Sequence, residues 1–231
     1  MNKITAPLAI LWMLVLFSCE DAGKQQNDNN TTVEKPAVQS DQSSLDERKV
    51  ILFFGNSLSA AHGIDPEKGF VGLTAKRIDS LGLPYKVINA GLSGETTAGG
   101  KTRIDWILRQ PIDIFILELG GNDALRGIDP DDSYKNLKYI IEQVVAKYTD
   151  AKIVIAGMEA PPNMGADYTS NFRGIFPKLA KEYDAALIPF LLEGVGGVPS
   201  LNLPDGIHPN VEGHKVVAEN VWAVLEGLLV N

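Results

Sequence analysis

Five short runs of consecutive apolar residues, separated by amphipathic stretches, constrain the fold of this 231-residue chain more than any other feature. The runs cover residues 50–54, 86–89, 112–119, 152–157 and 186–189. Helical apolar spacing is found in residues 66–81, 132–148, 170–183 and 211–229. Continuous apolar strands bounded by turn residues are typical of a sheet covered on both faces. The alternation therefore predicts an α/β fold, with a parallel sheet of about five strands and helices on both sides.

The N-terminal 48 residues are expected to lie outside this fold. Lys3 precedes an apolar run at 6–17, which is typical of a secretory signal peptide and too short to span a membrane as a helix. The run ends in Leu-Phe-Ser-Cys, which resembles a bacterial lipobox, so Cys19 is the expected lipidation site. A plain cleaved signal with an incidental cysteine is the alternative. Residues 19–48 are polar and acidic and are expected to form a disordered tether.

This organisation predicts three segments: a lipoprotein signal peptide at 1–18, a tether at 19–48 and a folded domain at 49–231. It also predicts export to the bacterial cell envelope, on the periplasmic or the surface side. The expected contact with the membrane is the N-terminal lipid alone.

Composition excludes several classes of function. The formal net charge of −8 argues against nucleic-acid binding, which needs a basic face. A single cysteine cannot form an intramolecular disulfide, and the usual zinc-site spacings are absent from the sequence. No metal-binding or phosphate-binding motif stands out, so we expect no cofactor. The expected oligomeric state is a monomer.

Chemically useful residues follow the predicted strands, where ligand sites of parallel sheets lie. Ser57 follows the first strand in Gly-Asn-Ser, Gly94 lies in a glycine-containing turn after the second, and Asn122 follows two glycines after the third. Near the C-terminus, Asp205 precedes His208 by three residues. An acid at that spacing can orient an imidazole, and the imidazole can activate a serine hydroxyl. Each motif alone is weak evidence, whereas the set predicts a serine nucleophile with its base and oxyanion donors.

These blocks, in this order, resemble the SGNH hydrolases, also called GDSL esterases or lipases. The sequence is similar above all to the branch of bacterial periplasmic multifunctional thioesterases, arylesterases and lysophospholipases. The similarity extends through residues 118–127, 168–182 and 187–190 and covers essentially all of 49–231. One position departs from the family pattern: Asn56 stands where the family usually has Asp, which removes a charge beside the nucleophile.

The resemblance implies a flavodoxin-like three-layer α/β/α sandwich and the hydrolysis of carboxylic esters. It assigns the catalytic triad to Ser57, His208 and Asp205, and the oxyanion hole to Ser57, Gly94 and Asn122. By the same resemblance, the loop at 159–165 borders the acyl pocket together with Leu125. The expected substrate-binding residues are Leu58, Leu125, Pro162 and Met164. The implied substrates are small aryl esters, acyl esters or lysophospholipids, with thioester cleavage available to the same site.

Two other functions remain open from sequence alone. A carbohydrate O-acetyl esterase would use the same triad on a different alcohol. A binding lipoprotein would keep the fold without catalysis.

Four further residues are interpreted structurally. His62 is expected to be a loop residue rather than part of the site, and His214 is expected on the exposed face of the last helix. Trp106 and Trp222 fall in helical patterns and are expected in the core.

Overall fold

The computed structural model describes residues 47–229, in which five strands alternate with six α-helices. The strands are β1 Lys49–Gly55, β2 Tyr85–Asn89, β3 Ile114–Glu118, β4 Lys152–Ala156 and β5 Ala186–Ile188. The helices are α1 Phe70–Ser80, α2 Thr97–Ile107, α3 Gly121–Leu125, α4 Pro130–Lys147, α5 Ala166–Glu182 and α6 Val211–Leu225. The predicted signal peptide, Cys19 and the tether up to residue 46 lie outside the described residues.

All five strands are parallel and lie in the order β2-β1-β3-β4-β5. The order reverses between β1 and β3, so the loops that follow these two strands flank the crevice where open α/β sheets bind ligands. The register pairs Gly55, at the end of β1, with Glu118, at the end of β3. The segment after Gly55 therefore begins beside the last residue of β3.

Helices cover both faces of the sheet and make the predicted three layers. The contacts between helices separate them into two groups, α1 with α6 and α2 with α4 and α5. The two central strands are buried on both sides: β3 is buried throughout, and every residue of β1 after Lys49 is buried. This is why their sequences are continuously apolar rather than alternating. The predicted α/β/α sandwich with a parallel sheet of about five strands is confirmed.

Two of the three longest helices, α4 and α6, begin at residues whose side chains accept from their first backbone N–H groups. Asp129 caps α4 by accepting from the Asp131 N–H, and Pro130 occupies the first turn. Asn210 caps α6 by accepting from the N–H groups of Glu212 and Gly213. Such caps are favoured because the first turn of a helix has no internal acceptors for these N–H groups. The cap at Asn210 also fixes where the chain leaves the loop that contains His208.

Helix α2 was not expected from the apolar pattern. Its buried residues are Thr97, Gly100, Ile104 and Ile107, which have helical spacing. Two of these four, the threonine and the glycine, are polar or small, so the apolar pattern does not show the helix. Trp106 points away from that stripe and is 63% exposed, so its predicted core position is wrong, whereas Trp222 is buried as expected.

His214 is also placed differently from the prediction, because it is 1% exposed. It shares the buried face of α6 with Val217, Ala218 and Val221. Its ring stacks on Phe70, and its Nδ1 accepts a hydrogen bond from the Phe70 N–H. Burial lowers the pKa of His214 to about 4, so the ring is neutral at physiological pH.

None of the helices in the described part of the chain is long and apolar enough to cross a membrane.

Candidate active site

Ser57 lies in a tight turn directly after β1. The Ala60 N–H donates to the Asn56 carbonyl and the His62 N–H donates to the Ser57 carbonyl, each over 3.0 Å, so the chain starts a helical turn at this point. The Asn56 side chain caps the turn, because its Oδ1 accepts from the Leu58 N–H. Ser57 is 8% exposed, so only a small part of the residue is open to solvent.

The structure brings His208 and Asp205 to this serine. His208 Nε2 lies 2.8 Å from Ser57 Oγ, and His208 Nδ1 lies 2.7 Å from Asp205 Oδ2. The other Asp205 oxygen accepts from the N–H groups of Ile207 and His208. The backbone N–H of His208, its ring and the Ile207 N–H hold the pKa of Asp205 well below its usual range. Asp205 is therefore a carboxylate at neutral pH and orients the imidazole of His208.

Three N–H donors lie on neighbouring loops. The Ser57 and Gly94 N–H groups have no hydrogen-bond partner among residues 47–229, and Gly94 has a left-handed φ of 81° that favours glycine. Asn122, in the first turn of α3, donates one amide hydrogen to the Glu95 carbonyl over 3.0 Å. That bond fixes the amide plane and leaves the second hydrogen for a ligand.

An ion pair supports the loop that contains Gly94. Arg103 from α2 pairs with Glu95 through two nitrogens and also donates to the Ala90 carbonyl. Both side chains are largely buried, and a bidentate pair of this kind fixes geometry as well as charge. Gly94 directly precedes Glu95, and the Asn122 amide is bonded to the Glu95 carbonyl. Helix α2, which the apolar pattern did not predict, therefore holds these two of the three N–H donors in place through Glu95.

A cavity of about 460 Å³ opens beside this cluster. Its walls include the neighbours of the serine, Asn56 and Leu58, together with Asn122. The rest of the lining is mainly apolar and comes from the loops after β3, β4 and β5 and from Ile207, next to His208. An apolar cavity that begins at polar donors suits a ligand with an apolar body and a polar reacting end.

Three of the four predicted substrate-binding residues line this cavity: Leu58, Leu125 and Pro162. Met164 does not line it and lies instead near Gly127. Pro161, in the predicted loop, also lines it, whereas sequence reasoning missed the apolar lining residues Met158, Phe190, Leu192 and Ile207. Their signal was available, because each follows a strand of the sheet or adjoins His208.

His62 lies closer to the site than expected. Its ring centroid is 4.6 Å from that of His208, so the exposed loop residue covers one side of the imidazole. Within residues 47–229, no group of three or more His, Cys, Asp and Glu side chains is placed to hold a metal ion.

Comparison with known proteins gives consistent results. The model of the GDSL-like lipase/acylhydrolase family matches residues 53–216. The chain is 40% identical over 182 residues to esterase TesA of Pseudomonas aeruginosa, covering 78% of this chain and 90% of that protein. It is 35% identical over 180 residues to thioesterase 1/protease 1/lysophospholipase L1 of Escherichia coli K12, covering 78% and 84%. Among solved structures, AlinE4, an SGNH-hydrolase family esterase, superposes with a TM-score of 0.65 at 41% identity, covering 79% of this chain and 97% of that one.

Proposed function

Because the chain belongs to the GDSL-like lipase/acylhydrolase family and is a carboxylic ester hydrolase, we propose that Ser57, His208 and Asp205 form its catalytic triad. The continuous path from Ser57 Oγ through the His208 ring to Asp205 Oδ2, with distances of 2.8 and 2.7 Å, is the observation that carries this proposal. Both distances are within the range that proton transfer between hydrogen-bonded groups requires.

In the first half-reaction, His208 Nε2 removes the proton of Ser57 Oγ while the oxygen attacks the ester carbonyl. Asp205 stabilises the imidazolium that forms. The imidazolium then donates its proton to the leaving alcohol, and the acyl group stays on Ser57 as an ester. In the second half-reaction, His208 activates a water molecule in the same way, and the acid product leaves.

The tetrahedral intermediate carries a negative oxygen that needs preorganised donors. We assign this role to the Ser57 N–H, the Gly94 N–H and the Asn122 amide. They are suited to it because the two backbone groups are unpaired in the described part of the chain and the Asn122 amide is held by Glu95.

The apolar cavity is assigned to the acyl part of the substrate. Leu58, next to Ser57, and Leu125, at the end of α3, line it, and Met158 and Phe190 contribute from the loops after β4 and β5. A volume of about 460 Å³ accommodates an acyl chain or an aryl ring, which favours aryl and acyl esters, including lysophospholipids, over small acetyl groups on a sugar.

The test is hydrolysis of p-nitrophenyl esters from acetate to palmitate by the purified protein and by Ser57→Ala. We expect the variant to lose activity by about 10⁴-fold or more while it stays folded. A folded variant that keeps wild-type activity would remove Ser57 from the mechanism. Cleavage of acetate alone, with release of acetate from an acetylated glycan, would instead favour the carbohydrate O-acetyl esterase.

We also propose that the mature protein is attached to a membrane by lipid on Cys19. The support is the sequence at 16–19 and the polar stretch that follows it. The full chain and Cys19→Ser would be expressed in a bacterial host and fractionated without detergent. The wild type is expected with the membranes and the variant in the aqueous fraction, and release of the wild type without detergent would contradict the proposal.

A further inference from the structure

A buried carboxyl lies directly beside the turn that carries Ser57, and the mechanism above does not use it. Glu118 is the last residue of β3 and is 0% exposed. Carboxylates are rarely buried without a cationic partner, because removing the charge from water costs more than most folds can offset. The position of Glu118 therefore requires a reason.

The hydrogen bonds of Glu118 hold the chain on both sides of Ser57. Its Oε2 accepts from the Asn56 N–H over 3.0 Å, from the Ser59 N–H over 3.2 Å and from Ser59 Oγ over 2.8 Å. Asn56 and Ser59 bracket the two residues Ser57 and Leu58. One oxygen on a rigid central strand thus fixes the entry and the exit of the turn that carries Ser57.

The second oxygen of Glu118 is buried and makes no hydrogen bond within the described residues. An unpaired buried oxygen is unusual and is expected to be tolerated where the rest of the group serves a purpose. Here the three bonds of Oε2 are all directed at the turn, and none is directed at the general packing of the core.

We propose that Glu118 is a positioning residue for the nucleophile: by holding both ends of its turn, it aims the Ser57 hydroxyl at His208 Nε2. This inference rests on the proposed function, in which Ser57 is the nucleophile. Glu118 does not touch the substrate, since its side chain is fully buried and has no exposed surface.

The role of Glu118 depends on an acceptor oxygen at the correct reach and needs no charge. Burial raises the pKa of Glu118 to about 7, which the hydrogen bonds of Ser59 and Asn56 offset only in part. The carboxyl is therefore largely neutral in mildly acidic solution, and its Oε2 can accept from the turn in either state. A glutamine at this position offers the same acceptor, whereas an aspartate is too short by one methylene group.

The experiment compares kcat and KM for a p-nitrophenyl ester among Glu118→Gln, Glu118→Asp and Glu118→Leu, each corrected for its folded fraction by circular dichroism. We expect Glu118→Gln to keep kcat within about threefold of the wild type. The Asp and Leu variants should lose about 10- to 100-fold in kcat with KM nearly unchanged, the scale of effect that a displaced reacting group produces. Val144→Ala, which truncates a buried residue of α4 outside the site, is the control for general destabilisation.

Three outcomes overturn the proposal. Wild-type kcat in the folded Asp and Leu variants means that Glu118 only stabilises the fold. Higher kcat in Glu118→Asp than in Glu118→Gln means that charge matters and reach does not. A loss in Val144→Ala equal to that in Glu118→Leu means that the effect follows stability. If Glu118→Leu does not fold, the ranking of the Gln and Asp variants decides alone.

Ser57→Ala, measured in parallel, separates this proposal from the one it rests on. If Ser57→Ala keeps activity, the assignment of the nucleophile fails whatever the Glu118 variants do. If Ser57→Ala is inactive and the Glu118 variants all behave like the wild type, the positioning role fails and the triad stands.

Discussion

Two buried groups, His214 and Glu118, are expected to shift the stability of this protein in opposite directions between pH 7.5 and 5.0. Burial, with a smaller effect of the nearby His208, lowers the pKa of His214 from an ordinary 6.5 to about 4. Burial raises the pKa of Glu118 from an ordinary 4.5 to about 7. Both groups prefer their neutral forms in the folded protein, but one is a base and the other is an acid.

As pH falls from 7.5 to 5.0, the unfolded chain protonates His214 while the folded protein does not. The free energy of unfolding therefore decreases by about 2 kcal/mol on account of this residue. Over the same range the folded protein takes up a proton at Glu118 before the unfolded chain does. The free energy of unfolding increases by about 2 kcal/mol on account of that residue. The two contributions cancel, so the wild type is expected to be almost equally stable at the two pH values.

The cancellation is tested by urea unfolding of the wild type, His214→Asn, Glu118→Gln and the double variant at pH 7.5 and 5.0. Asparagine keeps an acceptor for the Phe70 N–H, and glutamine keeps one for the turn at Ser57, so each change removes a titration with the least loss of bonding. His214→Asn should be about 2 kcal/mol more stable at pH 5.0 than at pH 7.5, and Glu118→Gln about 2 kcal/mol less stable. The double variant should show little difference.

Only the difference between the two pH values enters the comparison for each variant. The packing that His214→Asn loses against Phe70 lowers its stability equally at both, and so does not affect the result. If either single variant shows the same pH difference as the wild type, the corresponding group does not titrate in this range, and the reasoning from its burial is refuted.

Three further outcomes follow from the structure. Asn122→Ala should lower kcat by about 10²- to 10³-fold with little change in KM, because the proposed oxyanion donor acts mainly in the transition state. Steady-state kinetics on a p-nitrophenyl ester measures both constants. Asp205→Asn should reduce kcat by about 10⁴-fold, since the amide no longer holds the His208 ring in the reactive tautomer. Circular dichroism should show that this inactive variant is still folded. Gly157→Ala should lower the free energy of unfolding, measured in urea, by about 1–3 kcal/mol, because the new Cβ would lie 2.2 Å from the Pro189 carbonyl oxygen. Unchanged stability would show that the ends of β4 and β5 can separate at this point.

The fold was predictable because its central strands are buried on both faces. Burial on both faces requires continuous apolar runs, and the lengths of the connections require helices between them. Helix α2 escaped detection because its buried stripe contains Thr97 and Gly100, which are not counted as apolar, and because two adjacent glycines at 99–100 are unfavourable for a helix. Tertiary packing fixes the position of α2. Gly100 packs so closely on Leu119 that a Cβ at this residue would lie 2.4 Å from the leucine side chain.

The proximity of the site residues could also be predicted, since parallel topology brings the loops after the strands to one edge of the sheet. Ser57, Gly94 and Asn122 follow three neighbouring strands, and their proximity is a property of the strand order. The supporting residues were not predictable in this way. The run at 112–119 places Glu118 in a strand covered on both faces, but nothing in the sequence says that its carboxyl reaches the turn at Ser57. His214 was expected on the surface, because histidine is usually at least partly exposed.

The burial of Glu118 depends on register, which is a property of two strands and not of either sequence alone. Gly55 lies opposite Glu118, and an added Cβ at Gly55 would lie 2.4 Å from Glu118 Oε2 and 2.2 Å from Ser59 Oγ. Only a residue without a side chain leaves space there for the carboxyl to reach the turn. The glycine before Asn56 and Ser57 is therefore needed for the carboxyl behind Ser57 as much as for the turn itself. A register shifted by one residue would direct that carboxyl to the opposite face of the sheet.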